Sequence, residues 1–278
     1  EYMAKRLPKV GGLCLQAESE VAAINMTMGA AAGGTRAMTS SSSPGIALKS
    51  EGISYIAGCD LPCLIVNVQR GGPGLGGIQP SQSDYYQATR GVGHGDLRLL
   101  VLAPSSVQEM ASLTATAFDL ADIYRMPAML LADGALGQMM EPVDFSAFEK
   151  HEIPEKPWAT VGHKMAREHN IVNSLFIDPQ VLEDSVRARY KRYDMVEEKE
   201  VRYEEFCTDD ADIVLVAFGI TARICKSAVT AAREKGIKAG LLRPITLWPF
   251  PKKPIAAVAD HAKALLSVEM SMGQMVDD

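Results

Sequence analysis

Short uninterrupted runs of apolar residues recur along the chain and predict its strands. The runs cover residues 63–69, 99–102 and 128–131. Runs of this length are typical of parallel strands that are buried on both faces. Between the last two runs, Ser105 and Gln108 have the spacing of a capping box at the start of a helix. Apolar residues at helical spacing then follow on one face of that helix: Met110, Leu113, Ala117 and Leu120.

The same alternation of helix and strand patterns precedes these runs. Apolar residues three to four positions apart predict a helix over 16–34, with Glu18 and Glu20 in its first turns and two glycines as its stop. A short strand over 36–40 and a helix over 46–57 follow, with serines and a proline at the start of that helix. This alternation predicts an open α/β sheet.

A second α/β pattern occupies the C-terminal part of the chain. Strands are predicted over 212–219, 239–242 and 265–270, because each stretch is apolar and rich in β-formers. A helix is predicted over 221–235, where a glycine directly after the last residue provides the stop signal. No internal repeat relates the two patterns.

Between the two patterns the sequence becomes proline-rich and highly charged. Charges alternate in sign over 187–205, which predicts an exposed helix. The predicted class is therefore α/β with two open, mostly parallel-sheet domains. The first covers 1–140, a linker covers 141–205, and the second covers 206–278.

Composition and charge narrow the class of protein. The 278 residues are 47% hydrophobic and 22% charged with a net charge of −6, which matches an average globular enzyme. No basic block provides an electrostatic surface for nucleic acid or an anionic membrane, so neither is expected as a partner. The longest apolar runs are far shorter than the roughly 20 residues that span a bilayer. We expect a soluble cytoplasmic protein.

The cysteines predict no metal centre. None of the five forms a Cys-x-x-Cys pair, and Cys59 and Cys63 lack two further soft ligands at matching spacing. We therefore expect reduced core thiols and no metal-binding residue in this chain.

Glu20 is the first candidate for chemistry. It lies early on an otherwise apolar helix, where a carboxylate that faces a buried pocket can make a strong hydrogen bond to a nitrogen base. A first-turn acid that is simply favoured by the helix dipole is the alternative explanation of the same position.

Arg70 is the second candidate. It opens the sequence Arg-Gly-Gly-Pro-Gly after a buried strand, at the carboxyl end where open α/β sheets bind ligands. Its guanidinium can bind a carboxylate with two hydrogen bonds, whereas a glycine-rich turn with a solvated arginine has the same sequence. The loop lacks the G-x-G-x-x-G spacing of a dinucleotide site.

Ser41, Ser42 and His94 complete the candidates. The two serines precede the helix over 46–57, where backbone N–H groups attract anions, although plain capping needs the same residue types. His94 lies between glycines and two residues before Asp96, and it can titrate near neutral pH and serve proton transfer or polar contact. A histidine on a surface loop has the same sequence environment.

Several catalytic signatures are missing from the sequence. There is no P-loop, no G-x-S-x-G elbow and no H-E-x-x-H motif. There is also no Gly-Asp-Gly followed at a distance by asparagine, the pattern that holds magnesium and a cofactor diphosphate. A stand-alone nucleotide-binding dehydrogenase is disfavoured, because no glycine fingerprint follows the first strand.

Motifs along nearly the whole chain nevertheless occur in one known family. They are QAESEVAAINM at 16–26, TSSSSPG at 39–45, RGGP at 70–73, QSDY at 82–85, GHGD at 93–96, MP at 126–127, LRPITLWPF at 242–250 and EMSMGQ at 269–274. In these motifs the chain resembles the alpha subunit of 2-oxoacid:ferredoxin oxidoreductases.

The resemblance implies an enzyme that decarboxylates and oxidises a 2-oxoacid. In that family this subunit carries the pyrimidine-binding domain of a thiamine diphosphate enzyme, followed by a domain similar to the transketolase C-terminal domain. A separate beta subunit holds the diphosphate, magnesium and an iron-sulfur cluster, and gamma and ferredoxin-like subunits complete the complex. The implied reaction converts a 2-oxoacid and coenzyme A into acyl-CoA and CO2, with electrons leaving through iron-sulfur clusters to ferredoxin.

The resemblance also implies roles for the candidates. Glu20 matches the carboxylate that pairs with N1′ of the aminopyrimidine and promotes the imino tautomer that helps to deprotonate the thiazolium C2. Arg70 matches the arginine that contacts the carboxylate of the 2-oxoacid. Ser41 and Ser42 are expected at the cofactor and His94 near the substrate. The favoured substrate is 2-oxoisovalerate, with 2-oxoglutarate second.

At both ends the chain departs from the family pattern. Family members begin with a strand and a Tyr-Pro-Ile-Thr-Pro loop, which has no counterpart before Glu1, and they continue beyond Val276. We therefore expect a fragment that is clipped at both ends and catalytically silent by itself. The alternative function is a non-catalytic α/β scaffold subunit that serves assembly of a complex.

Overall fold

A computed structural model describes residues 2–278, which form two β-sheets with helices packed around them. The strands are β1 (Met38–Ser41), β2 (Leu64–Gln69), β3 (Leu100–Leu102), β4 (Ala128–Asp133), β5 (Tyr203–Phe206), β6 (Ile213–Val216), β7 (Ala239–Pro244), β8 (Thr246–Trp248) and β9 (Ala264–Ser267). The α-helices are α1 (Tyr2–Arg6), α2 (Glu20–Ala32), α3 (Ser43–Gly58), α4 (Val107–Tyr124), α5 (Pro179–Lys199), α6 (Gly219–Glu234) and α7 (Lys252–Ala259).

The first sheet has the strand order β1-β2-β4-β3-β8. The strands from β1 to β3 are parallel to their neighbours, and β8 is antiparallel to β3. Strands β3 and β4 are buried throughout, as their uninterrupted apolar runs predict. Strands β1 and β2 pair from Met38 with Leu64 to Ser41 with Asn67, so both end at the same edge of the sheet.

The second sheet has the strand order β5-β7-β6-β9. Strands β6, β7 and β9 are parallel, and β5 is antiparallel to β7. The predicted class, α/β with two mostly parallel sheets, is confirmed. Strand β8 lies within the predicted second domain over 206–278, yet it extends the edge of the first sheet. One crossing strand therefore ties the two sheets together.

The helix in the predicted linker is packed against the first sheet. Three of its residues are buried at helical spacing, namely Arg189, Tyr193 and Val196. The ring of Tyr193 lies 5.6 Å from the ring of Trp248 in β8. The predicted exposure over 187–205 is therefore wrong for this face, because a narrow buried stripe is hidden among charges of alternating sign.

The start of α2 differs from the predicted helix over 16–34. The helix begins at Glu20 because the Ser19 hydroxyl accepts a hydrogen bond from the Ala22 N–H at 3.2 Å. Glu18, which was predicted in the first turn, therefore precedes the helix. Glu20 becomes the first helical residue, where the helix dipole favours a carboxylate.

The cap of α4 also differs from the predicted pair of Ser105 and Gln108. The Ser106 hydroxyl accepts a hydrogen bond from the Glu109 N–H at 3.1 Å. The Glu109 carboxylate in turn accepts a hydrogen bond from the Ser105 N–H at 2.8 Å. The N-cap residue is therefore Ser106, one residue later than predicted, and Glu109 replaces Gln108 as the side chain that reaches back over the helix start, to Ser105.

A continuous apolar core fills the space between the first sheet and its helices. Ile24 of α2 and Ile46 and Ile53 of α3 are buried in it together with β2, β3 and β4. Smaller apolar clusters lie on the two faces of the second sheet. Within residues 2–278, no helix has the length and apolar composition of a membrane span.

Candidate active site

Glu20 and Ser41 lie side by side at the N-terminus of α3. A Cβ atom placed on Gly45, in the first turn of α3, would lie 2.0 Å from Ser41 Oγ and 3.2 Å from Glu20 Oε1. Real Cβ atoms do not come that close to another heavy atom, so this approach needs a glycine. The start of α2, the end of β1 and the first turn of α3 therefore meet at one point.

The helices α2 and α3 stay in contact beyond this point. A Cβ atom on Gly52 of α3 would lie 2.5 Å from Ile24 of α2. Gly45 and Gly52 are seven positions apart and share a face of α3, whereas Glu20 and Ile24 are four apart and share a face of α2. This close packing fixes the backbone of Glu20 relative to β1.

A buried lysine, which the sequence analysis missed, lies in the same corner. Lys49 is 2% exposed, and its Nζ donates hydrogen bonds to Thr39 Oγ1 at 2.7 Å and to the Ser40 carbonyl at 3.1 Å. Burial lowers the pKa of Lys49, and the negative charge of Glu20 opposes part of that shift. A lone charged residue on the apolar face of the predicted helix over 46–57 is the signal that could have found it.

Ser41 and Ser42 keep their hydroxyl groups available for a ligand. Ser42 is the N-cap residue of α3, but its side chain makes no capping hydrogen bond within residues 2–278. The Gly45 N–H donates instead to the Ser42 carbonyl at 2.7 Å. Both serines are half-buried, so a polar group that enters this corner meets two hydroxyls at a helix N-terminus.

Arg70 follows the end of β2, next to the end of β1. Its N–H donates to the Ser43 hydroxyl at 3.1 Å. Its side chain is half-buried, and its Nε is buried without a hydrogen-bond partner in the described part of the chain. The loop after it is closed by hydrogen bonds from the Gly71 N–H to Gln79 and from the Gly77 N–H to Gly71. The guanidinium therefore has donors left for a ligand.

A polar cluster below this loop holds Arg70 in place, and its side chains are not among the candidates predicted from the sequence. The Asp84 carboxylate accepts hydrogen bonds from Ser43 Oγ at 2.5 Å and from Asn67 Nδ2 at 2.9 Å. The Asp84 N–H donates to Gln69 Oε1 at 3.1 Å. Amides in a buried strand, here Asn67 and Gln69, are the sequence signal for such a cluster.

His94 stands apart from the other candidates. It is exposed on the loop between the short π-helix (Gln87–Gly91) and β3, and it makes no hydrogen bond or ion pair with any residue of 2–278. The loop approaches α3 at Gly93, where a Cβ atom would lie 2.7 Å from the Ser50 carbonyl. The structure thus brings Glu20 and the two serines together and leaves His94 at the surface.

The segment that follows the Arg70 loop is hydrogen-bonded to residues of the C-terminal part of the chain, 206–278. Gln82 Nε2 donates to the Phe218 carbonyl at 2.8 Å, and Gln82 Oε1 accepts from Thr221 Oγ1 at 2.8 Å and from the Met270 N–H at 3.0 Å. The Gln82 N–H also donates to the Met270 carbonyl at 2.9 Å. Two sequence motifs far apart in the chain therefore meet beside the candidate site.

Two family models match the chain. The model of the pyruvate flavodoxin/ferredoxin oxidoreductase, thiamine diphosphate-binding domain covers residues 1–207, and the model of pyruvate:ferredoxin oxidoreductase core domain II covers residues 211–278. The chain belongs to the pyruvate flavodoxin/ferredoxin oxidoreductase family. All five candidate residues lie within the part matched by the thiamine diphosphate-binding model.

Named relatives are similar over almost the entire chain. The ketoisovalerate oxidoreductase subunit VorB of Methanothermobacter marburgensis is 53% identical over 275 residues, which is 99% of this chain and 78% of the relative. The 2-oxoglutarate synthase subunit KorA of Methanothermobacter thermautotrophicus is 36% identical over 308 residues, with 99% of this chain and 80% of the relative covered.

Solved structures share the fold. A 2-oxoglutarate:ferredoxin oxidoreductase from Magnetococcus marinus, with 2-oxoglutarate, coenzyme A and succinyl-CoA bound, matches at a TM-score of 0.82 and 28% identity. The match covers 99% of this chain and 53% of that one, so this chain spans about half its length. An inactive split-gene transketolase tetramer has the same fold, at a TM-score of 0.56, 13% identity and coverage of 96% and 67%.

These similarities confirm the predicted resemblance to 2-oxoacid:ferredoxin oxidoreductases and the prediction of an oxidoreductase. The corner around Gly45 also suits the pyrimidine of the family's cofactor. Glu20 offers a carboxylate with no hydrogen-bond partner among residues 2–278, and Ser41 and Ser42 offer hydroxyls that can donate or accept. In the described residues, no group of three or more His, Cys, Asp or Glu side chains is arranged to hold a metal ion.

Burial makes the two cysteines near the first sheet, Cys59 and Cys63, unreactive. Burial raises the pKa of the Cys63 thiol to about 12. Burial also raises the pKa of Cys59, although a hydrogen bond with Ser174 opposes that shift. Both side chains are therefore neutral thiols at physiological pH, and metal binding or nucleophilic attack needs the thiolate.

Proposed function

We propose that this chain is the subunit of a 2-oxoacid:ferredoxin oxidoreductase that binds the pyrimidine of thiamine diphosphate and the 2-oxoacid. The observation that carries the proposal is the corner in which Glu20 and Ser41 meet beside Gly45, in a chain whose family model is thiamine diphosphate-binding. The reaction converts a 2-oxoacid and coenzyme A into an acyl-CoA, CO2 and a proton, and two electrons pass to ferredoxin.

Glu20 is the proposed partner of the pyrimidine N1′. A carboxylate at this place holds a proton at N1′ through a charge-assisted hydrogen bond. The packing of α2 on α3 fixes the position of the carboxylate. Thiamine diphosphate, when bound, supplies the electron sink that the decarboxylation needs.

Ser41 and Ser42 are the proposed hydrogen-bonding partners at the pyrimidine end of the cofactor. Their half-buried hydroxyls lie at the N-terminus of α3, and Ser41 Oγ is next to the same glycine as the Glu20 carboxylate. Because a hydroxyl both donates and accepts, each serine can match an amino group or a ring nitrogen. Their role is to orient the ring toward Glu20.

Arg70 is the proposed ligand of the substrate carboxylate. Its planar guanidinium can donate two parallel hydrogen bonds to a carboxylate, and its buried Nε lacks a partner among residues 2–278. The network from Asp84 through Ser43 holds its backbone at the end of β2. His94, exposed on its loop, is a proposed polar contact near the substrate.

Partner subunits are proposed to complete the site. These are a beta subunit that holds the diphosphate, magnesium and an iron-sulfur cluster, together with gamma and ferredoxin-like subunits. Helix α2 has no charged residue after Glu20, and it leaves Val21 and Met26 about half exposed. Since helices that are apolar on all sides are normally buried, a partner surface over α2 is expected.

The favoured substrate is 2-oxoisovalerate, and 2-oxoglutarate is second. The relative named for ketoisovalerate is 53% identical to this chain, whereas the relative named for 2-oxoglutarate is 36% identical. We further propose a pyrimidine-binding domain over 1–140, a linker over 141–205 and a transketolase C-terminal-like domain over 206–278, in a cytoplasmic complex.

The test is anaerobic, 2-oxoacid-dependent reduction of a low-potential dye by the full-length subunit assembled with its partners, with coenzyme A and thiamine diphosphate present. Glu20→Gln is expected to lose most turnover while assembly persists. Arg70→Ala is expected mainly to raise the KM for the 2-oxoacid. Each enzyme is assayed with 2-oxoisovalerate and 2-oxoglutarate, so that the ratio of kcat/KM identifies the substrate. Unchanged kinetics in both variants would favour the scaffold function.

A further inference from the structure

Asn67 of β2 has a buried hydrogen-bond acceptor without a donor. The residue is 0% exposed, and its Oδ1 has no hydrogen-bond partner within residues 2–278. Its Nδ2 donates to the Asp84 carboxylate at 2.9 Å. This bond fixes the orientation of the amide, because an amide oxygen turned toward the carboxylate would be repelled. Since buried polar atoms are normally hydrogen-bonded, Oδ1 is expected to accept from a group outside this chain.

Asn67 lies beside Ser41 of the candidate site. The two residues are paired in the ladder between β1 and β2, and neighbouring strands are about 4.8 Å apart. Two contacts show that both side chains face the start of α3. Ser41 Oγ is the atom that a Cβ on Gly45 would meet, and the Asp84 carboxylate that holds Asn67 also accepts from Ser43. Asn67 is therefore part of the corner at which α2, β1 and α3 meet.

The same polar cluster connects Asn67 to the proposed substrate ligand. The Arg70 N–H donates to the Ser43 hydroxyl, which donates to Asp84. Arg70 Nε is buried without an acceptor, just as Asn67 Oδ1 is buried without a donor, and among the described residues no hydrogen bond joins these two atoms. The site therefore needs one acceptor and one donor from its ligands.

The chemistry of the ligands decides which of them can donate to Asn67. The inference rests on the proposed function, in which this site takes an aminopyrimidine and a 2-oxoacid. A 2-oxoacid anion has only oxygen acceptors at its reacting end, so it can satisfy Arg70 and cannot donate to Asn67. The aminopyrimidine has two donors, the proton at N1′, which is assigned to Glu20, and the 4′-amino group.

We propose that Asn67 is a further cofactor-binding residue: its Oδ1 accepts a hydrogen bond from the 4′-amino group of the pyrimidine. Two groups of this chain then hold the ring at two different positions, Glu20 at N1′ and Asn67 at the amino group. Together they select one orientation of the ring in the corner. Neither the sequence motifs nor the comparisons with relatives assign this role to Asn67.

The experiment combines a change in the protein with a change in the cofactor. Parent and Asn67→Ala subunits are assembled with their partner subunits and freed of cofactor. Each complex is titrated with thiamine diphosphate and with 4′-deaminothiamine diphosphate, in which a hydrogen replaces the amino group. The readout is the Kd by equilibrium dialysis, which needs no turnover. The ratio of the two Kd values is the preference of a complex for the amino group.

The parent complex is expected to prefer thiamine diphosphate by about tenfold or more, because the analogue lacks the hydrogen bond to the buried acceptor. Asn67→Ala is expected to lower this preference about tenfold. A general loosening of the site weakens both compounds equally and cancels in the ratio. Asn67→Leu fills the same volume without polar atoms and is expected to lose the same preference, so a cavity left by alanine does not decide the result.

Gln69→Ala is the matched control. Gln69 is also a buried amide of β2, and it holds the same Asp84, whose N–H donates to Gln69 Oε1 at 3.1 Å. Its oxygen is already bonded, so its loss loosens Asp84 without removing a free acceptor. The preference for the amino group is expected to stay as in the parent. If Gln69→Ala lowered the preference as much as Asn67→Ala, the proposal would be overturned.

The remaining outcomes separate this inference from the proposed function. If Asn67→Ala left the preference unchanged, a water molecule would satisfy Oδ1 and the inference would be overturned, with the role of Glu20 intact. Coenzyme A also has N–H donors, so its Kd is measured in the same variants. A weaker Kd for coenzyme A with an unchanged preference would overturn the inference too. If the parent complex bound neither cofactor compound, the proposed function would fail, and the inference with it.

Discussion

Ser43 connects the two sides of the candidate site. Its hydroxyl accepts a hydrogen bond from the Arg70 N–H and donates one to Asp84. It is also the first residue of α3, next to Ser41 and Ser42. A single small side chain therefore links the start of α3, beside Ser41 and Ser42, to the loop that begins with Arg70.

Ser43→Ala is expected to raise the KM for the 2-oxoacid. One lost hydrogen bond is worth about 1 kcal/mol, or roughly a fivefold change in affinity, because the Arg70 loop then has one anchor fewer. Steady-state kinetics of the assembled enzyme provide the check, with kcat expected to change less than KM. Ser50→Ala is the control, since the one hydrogen bond of that hydroxyl within residues 2–278 goes to the Ile46 carbonyl of its own helix. Equal effects of the two alanine variants would contradict the proposed link.

Lys49→Met is expected to change how the stability of the chain depends on pH. Burial lowers the pKa of Lys49, so the unfolded chain binds its proton more tightly than the folded chain does. The buried charge therefore opposes folding at neutral pH, and stability recovers as the pH rises from the lowered pKa toward the ordinary value. The variant should lack this alkaline gain and stay within about 1 kcal/mol of the parent at pH 7.

Urea unfolding at a series of pH values from neutral to alkaline tests this expectation. The quantity of interest is the difference in the free energy of unfolding between the parent chain and Lys49→Met. It should move in favour of the parent as the pH rises. A difference that is constant with pH would mean that the buried ammonium does not titrate in the folded chain over this range.

At the scale of elements, the junction of α2, β1 and α3 depends on a glycine, Gly45, at the point where the three elements meet. Gly45→Ala is expected to destabilise the chain by about 1–3 kcal/mol, because the new methyl group must displace Ser41 or the end of β1. Gly29→Ala is the matched control in α2. Apart from the backbone of α2 itself, no atom of residues 2–278 lies within 4 Å of a Cβ there, so alanine should raise stability by up to about 1 kcal/mol through helix propensity.

Chemical unfolding of the chain measures both glycine variants, and dialysis against thiamine diphosphate follows in the assembled complex. Gly45→Ala should also weaken cofactor binding, because it moves Ser41 away from Glu20. If the two alanine variants had the same effect on stability, the close approach at Gly45 would not be a requirement of the fold.

The same elements show how far the sequence predicts the structure. Buried parallel strands were found from their apolar runs, because such a run has few alternatives in a chain of this kind. The predicted start of α2 lies four residues too early, because the cap at Ser19, and not the apolar spacing, decides where the helix begins. The packing of α5 was missed because charges outnumber its buried stripe.

Some residues of the candidate site can be predicted from the sequence and others cannot. Glu20 and Arg70 could be named because their motifs resemble a known family and each lies at the end of a predicted element. Lys49 and Asp84 could not, since their importance depends on which faces of α3 and β2 meet other elements. The spacing of apolar residues shows which face of a helix or strand is buried. Only the tertiary structure shows which residues that face contacts.

On the scale of the whole molecule, several contacts join the first sheet and its helices to residues 206–278. Strand β8 extends the first sheet, Arg243 of β7 pairs with Glu109 of α4, and Gln82 bonds to the start of α6 and to Met270 beside the candidate site. A movement of residues 206–278 would therefore also shift the loop that carries Arg70. The hydrogen bonds of Gln82 also explain why the motifs at 82–85 and 269–274 lie together beside the candidate site. Gln82 and Met270 are 188 positions apart in the sequence.

Gln82→Leu is expected to weaken this junction more than an average core substitution. Gln82 is 1% exposed, and leucine of similar size removes the hydrogen-bond partners of the Thr221 hydroxyl and the Met270 N–H. The Phe218 carbonyl loses one of its two hydrogen bonds and keeps the one from the Ala222 N–H. At about 1 kcal/mol or more for each unsatisfied buried group, the loss should reach about 2 kcal/mol. Hydrogen exchange at the Met270 amide should rise together with exchange across the neighbouring loop, while β2 and β4 stay protected. Gln180→Leu on the exposed start of α5 serves as the control and should change neither quantity. Protection at Met270 that survives Gln82→Leu would show that other contacts, such as β8 and the bond from the Gln82 N–H to the Met270 carbonyl, hold this part of the chain against the site.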